Sequence, residues 1–454
     1  MKGLFTPLPD ETRKILEQLP ALIDTVFPLP ARYRSALPYD VAELSALLTS
    51  AREERSSSYL GKPALLSAYL RYFLPWNMYR LCRLFNSLPL ELKPGDSVND
   101  LGAGPLTLAA SLWISRPDLR NIPLEFRCLD KTGSVLEAGR KLFAAIVELT
   151  YKNSGANLTS CPWTIRTIRS EIRRNGRLSA EIMGKPAILS AAVNVYNELF
   201  WAFSPYDTDE NERFAENQAR LLSTITDKSG YILVVEPGIP RSGEFISLLR
   251  FFLLKERRFP LSPCTHSGPC SFPGNSIRTN GRKTKWCHFA FDTTDAPSGL
   301  HKLSRAARLP KERAVLSFIL AGPAPSGTEQ NHEADETAAF RNKTAFGRNS
   351  VRNSGRSSDR GSGRSSDRGN SDRSNPVKIR ILSDPFPVDS FPADSFSAYK
   401  NANSWGCYGC SEKGPVLVTG TREGIAASPS GTIEELALVP GMKDGKSGAL
   451  VAER

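Results

Sequence analysis

Apolar residues recur at helical spacing over Val41–Arg55 and again over Leu65–Asn86, so residues 1–95 read as a mainly helical region. Pro75 lies within Tyr72-Phe-Leu-Pro-Trp-Asn77. It has no N–H to donate and its ring crowds the preceding turn, so the second helix should break or kink there. From residue 96 the pattern changes. Short apolar runs at Val98–Leu101, Leu124–Leu129, Ala187–Val195 and Tyr231–Val235 predict strands. Between them, Leu106–Ser115, Ser134–Leu149 and Glu210–Thr226 have helical spacing. This alternation predicts an α/β domain over 96–321, with a parallel sheet between two layers of helices. Ala314–Ala321 reads as a further strand of that sheet.

The pattern then lapses. Residues 322–376 form an Arg/Ser/Gly-rich linker with an imperfect Gly-Arg-Ser-Ser-Asp-Arg repeat, expected to be disordered because it has nothing apolar to bury. Order should return over 377–454. Strands are expected at Val377–Leu382 and Pro415–Thr419, on either side of a glycine-rich stretch through Trp405, and these strands should complete the sheet. The last 30 or so residues are weakly patterned.

The strongest local signal is Asp100-Leu-Gly102-Ala-Gly104-Pro105, where a strand gives way to a glycine turn and then a helix. Gly102 and Gly104 remove side chains where the backbone must turn sharply and approach a ligand. Open α/β sheets bind ligands in the crevice beyond their strand ends. Asp-x-Gly-x-Gly resembles motif I of class I methyltransferases. Thr107 occupies the third glycine position of the dinucleotide fingerprint, which argues against NAD. Asp130 ends the next strand. It is placed either to accept from the two ribose hydroxyls of the cofactor or to cap the following helix. Asn194, Asn197 and Glu198 follow the fourth strand; they line the pocket or form a helix cap and first turn. No side chain here carries a recognisable catalytic signature.

A net charge of +12 favours a polyanionic partner, RNA first, although a basic enzyme without nucleic acid fits as well. Arg166, Arg169, Arg173, Arg174, Arg177 and the Arg257-Arg258 pair are the candidate phosphate contacts. No apolar run would span a membrane, and the N-terminus lacks the features of a signal peptide, so a cytoplasmic location is expected.

Of eight cysteines, Cys82, Cys128 and Cys161 stand singly in apolar or strand-like sequence and read as packing residues. The other five lie among glycines and prolines: Cys264-x5-Cys270, Cys287 within Trp286-Cys-His-Phe289, and Cys407-x-x-Cys410. Thiolates gathered in irregular backbone suit zinc or an iron–sulfur cluster, and four ligands close either site. Cys264, Cys270 and Cys287 supply three; Cys410 or Cys407 supplies the fourth, with His266 or His288 as substitutes.

Together with Val235-Glu-Pro-Gly238, these motifs resemble the methyltransferase-like assembly factors of the mitochondrial small ribosomal subunit and their bacterial relatives, over roughly residues 60–320 and 377–420. The resemblance implies a class I methyltransferase (Rossmann-like) sheet with a cysteine-rich metal-binding insertion at 262–290. It implies S-adenosylmethionine at Asp100, Gly102, Gly104, Asp130 and Asn194. It also implies a [4Fe–4S] cluster on Cys264, Cys270, Cys287 and Cys410, with zinc as the alternative metal and Cys407 kept open as fourth ligand. Thr265 and Ser271 stand where the family usually has proline. The implied partner is the small ribosomal subunit or its rRNA, in ribosome assembly and translation. An active rRNA methyltransferase is the first alternative. A small-molecule methyltransferase with structural zinc is the second.

Overall fold

The computed structural model describes residues 3–50, 59–155, 160–178, 184–202, 204–273, 285–324, 375–388, 404–445 and 447–454. The expected helix end at Arg55 and the Arg/Ser repeat of 352–369 lie outside them.

Eight strands make the first sheet: β1 (Ser97–Leu101), β2 (Leu124–Asp130), β3 (Trp163–Arg169), β4 (Ala187–Val193), β5 (Thr226–Pro237), β6 (Phe259–Ser262), β7 (Phe289–Asp292) and β8 (Arg313–Gly322). Their order is β3-β2-β1-β4-β5-β8-β6, with β7 also paired to β8. The strands β1 to β5 pair in parallel. The strand β8 runs antiparallel to β5, β6 and β7. A 3-2-1-4-5 order followed by one reversed strand is the plan of class I methyltransferases, so the expected methyltransferase-type sheet is present. The sheet is mixed, however, where a parallel one was expected. All of the apolar run Ala314–Ala321 except Val315 is buried, and a covered run reads the same in either direction, so its hydropathy carries no direction. The strand β3 escaped the pattern because it is an edge strand; Thr164, Arg166, Thr167 and Arg169 are all exposed.

Side chains alternate between two cores, as a pleated strand requires. Ile232 and Val234 pack with the Thr208–Ile225 and Pro240–Lys255 helices. Leu233 and Val235 face the larger core, to which the N-terminal helices contribute. The helix expected to break at Pro75 is interrupted one turn earlier. Tyr69–Phe73 is a π-helical segment, and an α-helix runs Leu74–Phe85 with Pro75 in its first turn. The Leu74 N–H bonds the Tyr69 carbonyl, so the helix runs on through the π turn, which accommodates Pro75 and its missing N–H.

The C-terminal strands do not complete the first sheet, as had been expected. They form a second one, ordered β13-β9-β11-β12-β15-β14 with β10 beside β11. Its strands are β9 (Val377–Ile381), β10 (Phe386–Pro387), β11 (Trp405–Ser411), β12 (Gly414–Gly420), β13 (Ile433–Leu436), β14 (Leu438–Lys443) and β15 (Leu450–Glu453). This sheet has its own core around Ile379, Cys407, Val416 and Val418. It meets the first through Arg313–Asp384 (2.5 Å) and the N-terminal Leu4 N–H on the Gly431 carbonyl (3.2 Å). The weakly patterned last 30 residues supply three of its strands.

Candidate cofactor crevice and cysteine cluster

The strand β1 ends at Leu101, and the Thr107–Ser115 helix starts after five residues. Gly102 has φ +67°, and a Cβ there would lie 2.3 Å from Val195 Cγ2. Gly104 has φ +53° and faces open space where a Cβ would stand. The first glycine is therefore required by close approach, and the second keeps the crevice open. Leu106 (φ 59°) and Asn194 (φ 56°) adopt the same left-handed conformation without being glycine. Left-handed non-glycine residues cluster at ligand sites. Behind the loop, Gly139 of the Gly133–Ser154 helix lets that helix close on Pro105.

The crevice, of ≈ 110 Å³, is lined by Gly102, Gly104, Asp130, Asn194 and Glu198 among others. It shares Tyr59, Tyr69, Asn77, Asn194 and Glu198 with an adjoining cavity of ≈ 620 Å³. Four of the five expected cofactor residues thus reach the crevice. The fifth, Asp100, lies beneath it, 1% exposed, with no partner for Oδ2. Burial, aided by the nearby Asp130 charge, pushes Asp100 up to about 8. Asp130 lines the crevice, and its carboxylate accepts from the Thr132 N–H (2.8 Å) just ahead of the Gly133–Ser154 helix, which has Thr132 as its N-cap residue and no side-chain cap bond. Asn197 and Glu198 lie in a one-turn helix, Tyr196–Leu199, and both also line the larger cavity.

Glu236 holds that turn in place, and sequence reasoning gave it no role beyond its motif. It is fully buried, and Oε1 accepts from the Val195 (3.1 Å) and Tyr196 (2.8 Å) N–H groups. Its Oε2 accepts from the N–H (3.1 Å) and Nδ2 (2.9 Å) of Asn197. Burial lifts it to about 7 against the pull of these bonds. Two residues on, the Gly238 carbonyl accepts from Trp286 Nε1 (3.0 Å), which ties the Glu-Pro-Gly turn to the Trp-Cys-His-Phe segment.

Cys264, between β6 and β7, interacts electrostatically with Cys270, and Cys287 does so with Cys270, Cys264 and Cys410. Cys410 interacts in turn with Cys270 and Cys264, so every pair among these four thiols is in range. Cys407 is not part of the set; its neighbours are Glu434 and Arg454. Residues three apart on a strand point to opposite faces. Cys410 therefore faces the insertion while Cys407 enters the core of the second sheet. Burial raises the Cys264 and Cys287 thiols and pushes Cys410 up to about 12. Two guanidinium groups that sequence reasoning missed stand beside them. Arg250 interacts with Cys264, Cys270 and Cys410, and Arg380 with Cys264, Cys287 and Cys410. His266 Nε2 is 3.6 Å from Cys410 Sγ, and burial lowers the imidazole to about 4. His288 instead stacks on Trp286 at 4.8 Å. Among the described residues, no three His, Cys, Asp or Glu side chains are grouped as they would be around one metal ion.

Arg166, Arg169, Arg173, Arg174, Arg177 and Arg257 are exposed. Arg258 is not, contrary to expectation. It is 5% exposed and donates to the carbonyls of Thr226 (2.8 Å) and Asp227 (2.8 Å), fixing a turn. No helix among the described residues is long and apolar enough to cross a membrane.

Residues 146–337 match the family model described as mitochondrial small ribosomal subunit Rsm22. The match bears out the family expected from the sequence. Within the Rsm22 match lie the Glu-Pro-Gly turn and Cys264, Cys270 and Cys287; the glycine loop and Cys410 lie outside it. Solved structures of methyltransferases align with about half the chain or somewhat more. A geranyl diphosphate methyltransferase bound to its substrate and sinefungin is 11% identical, covering 63% of this chain and 100% of its own, with a TM-score of 0.28. A precorrin-6y C5,15-methyltransferase from Geobacter metallireducens is 9% identical (52% and 83% covered, TM-score 0.27). A TehB-like methyltransferase from Corynebacterium glutamicum is 9% identical (55% and 88% covered, TM-score 0.25). No curated protein matches the chain.

Proposed function

We propose that this chain is an S-adenosylmethionine-binding, iron–sulfur-containing protein of the cytoplasm that acts on the small ribosomal subunit or its rRNA in ribosome assembly. The observation that carries the cofactor reading is the open crevice framed by Gly102, Gly104 and Asp130 at the end of β1. The space a Cβ of Gly104 would fill is free for a ligand. The buried, unpartnered Asp100 Oδ2 behind it is an acceptor that a ligand ammonium would satisfy. Asp130 still has lone pairs for ribose hydroxyls after its two backbone bonds. Bound S-adenosylmethionine would supply a methyl group activated by its sulfonium.

Four mutually interacting thiols flanked by Arg250 and Arg380 support the metal reading. A cubane places four irons between its ligands, so its thiolates stand wider apart than those around a single ion. The exposed arginines from Arg166 to Arg177 follow the edge strand β3 toward Ser170 and Glu171 of the crevice, a disposition suited to RNA phosphate. The adjoining cavity favours turnover as a second reading, that of an active rRNA methyltransferase.

Three measurements test the proposal. Equilibrium dialysis should show stoichiometric S-adenosylmethionine binding that Gly102→Arg abolishes. Anaerobically purified protein should contain about four irons and four sulfides per chain; a colourless protein holding stoichiometric zinc would replace the cluster. Co-sedimentation should place the chain on small subunits, and its absence there would remove the ribosomal part.

A further inference from the structure

The ≈ 620 Å³ cavity beside the crevice is of ligand size, and nothing above assigns its occupant. Its wall is strongly aromatic. Phe73 and Trp76 line it, and Trp201 is 41% exposed beside it. The Trp76 ring is fixed by its Nε1 bond to Ser304 Oγ (3.2 Å). Four cations also reach the cavity without lining the crevice: Arg80, Arg241, Lys311 and Arg313.

Three of these cations are held by the protein. Arg80 donates to the Val315 carbonyl (3.0 Å) and to Asn77 Oδ1. Arg241 donates to the Phe200 carbonyl and stacks over the Trp201 ring at 4.9 Å. Arg313 pairs with Asp384. Lys311 differs. Its Nζ lies 5.9 Å from the Tyr72 ring centre and 5.8 Å from that of Trp76. Those ring faces are the partners of the ammonium; among the described residues that group makes no hydrogen bond or ion pair. Burial and the charge of Arg80 lower it to about 8. A half-buried ammonium without a counter-charge is costly, and a ligand anion would offset that cost. The carboxylate that lines both spaces, Glu198, is bonded to the Tyr59 hydroxyl (3.1 Å) at the crevice side.

We infer that this cavity receives one nucleotide, its base against Phe73 and Trp201 and its phosphate on the Lys311 ammonium. Flat bases stack on aromatic side chains whatever their identity, and a lysine meets phosphate as a point charge. A free nucleotide and an RNA nucleotide turned out of its strand share this chemistry. The inference deepens the proposed function by naming the class of group that would sit beside the cofactor.

The test titrates the full chain with the four ribonucleoside monophosphates, the four nucleosides and a short single-stranded RNA, followed by tryptophan fluorescence and calorimetry. At least one monophosphate should bind tenfold or more tighter than its nucleoside. Lys311→Gln should abolish that difference and Lys311→Arg restore most of it, with thermal melts confirming that both variants fold. Trp201→Ala should weaken nucleoside and nucleotide alike. An RNA that displaces the monophosphate identifies the strand as the source; one that does not leaves the free nucleotide. Equal affinity for nucleoside and nucleotide, or no binding of either, overturns the inference. S-adenosylmethionine binding measured on the same preparation separates the two proposals. Its loss counts against the cofactor reading, whereas its retention without nucleotide discrimination counts against this cavity alone.

Discussion

Asp130 Oδ2 accepts a hydrogen bond from the Gly104 N–H at 3.1 Å, so the acid ending β2 fixes the glycine loop that follows β1. Removing it should leave the loop unheld and two backbone N–H groups without their acceptor. We predict that Asp130→Ala weakens S-adenosylmethionine binding tenfold or more, since charge-assisted bonds are worth about 1.5–3 kcal/mol each. Asp130→Asn, which keeps one carbonyl oxygen, should fall between. Unchanged affinity in the alanine variant would mean that Asp130 serves only the fold.

Gly139 and Gly104 should behave differently when given a side chain. A Cβ on Gly139 would lie 2.4 Å from the Pro105 carbonyl carbon, and backbone cannot swing aside as a flexible side chain can. Gly139→Ala should cost about 1–3 kcal/mol in urea unfolding, as overpacking does, and shift the loop. Gly104→Ala meets open space, so its cost should be the left-handed strain of about 1–2 kcal/mol. It should nonetheless lose cofactor binding, because the methyl group enters the crevice. If Gly104→Ala binds as the native chain does, the crevice is not the cofactor site.

Asp100 makes stability depend on pH. Its folded value, about 8, lies above the ordinary 3.8, so the folded chain holds a proton that the unfolded chain has lost. That contribution is fully present below about pH 4 and is lost as pH rises through about 8, by up to about 1.4 kcal/mol per pH unit inside the window. Asp100→Asn carries no such titration. Its stability relative to the native chain should therefore improve steadily from pH 5 to 8, read from urea midpoints without cofactor. A flat difference would show that Asp100 is ionised throughout.

The cysteines divide cleanly. If the proposed cluster is present, Cys410→Ser should lose iron and lower the melting temperature, while Cys407→Ser should keep its iron and lose only packing in the second sheet. Iron loss in the Cys407 variant with retention in the Cys410 variant would reverse the assignment of the fourth ligand.

How far the site could be read in advance depended on the range of its signals. The glycine loop is local, and its strand–turn–helix chemistry was legible from six residues. The choice between Cys407 and Cys410 stayed open because Trp405–Ser411 read as a glycine-rich stretch; once it is a strand, its period of two puts the thiols on opposite faces. Arg258 looked like its exposed neighbour Arg257, and only the turn of carbonyls around it explains its burial. Lys311 and Arg380 gave no signal at all, since neither lies in a motif and each acquires its setting from elements far away in sequence.

By itself the chain determined several of its helices, though not Pro240–Lys255, most of its parallel strands, the glycine turn and the spacing of three cysteines, because periodicity, turn chemistry and ligand types are properties of neighbouring residues. The direction of β8, the separate second sheet, the convergence of Cys410 on the insertion and the cavity around Lys311 were decided only in three dimensions. Each depends on which buried surfaces meet, and an apolar run states that it will be covered without stating by what.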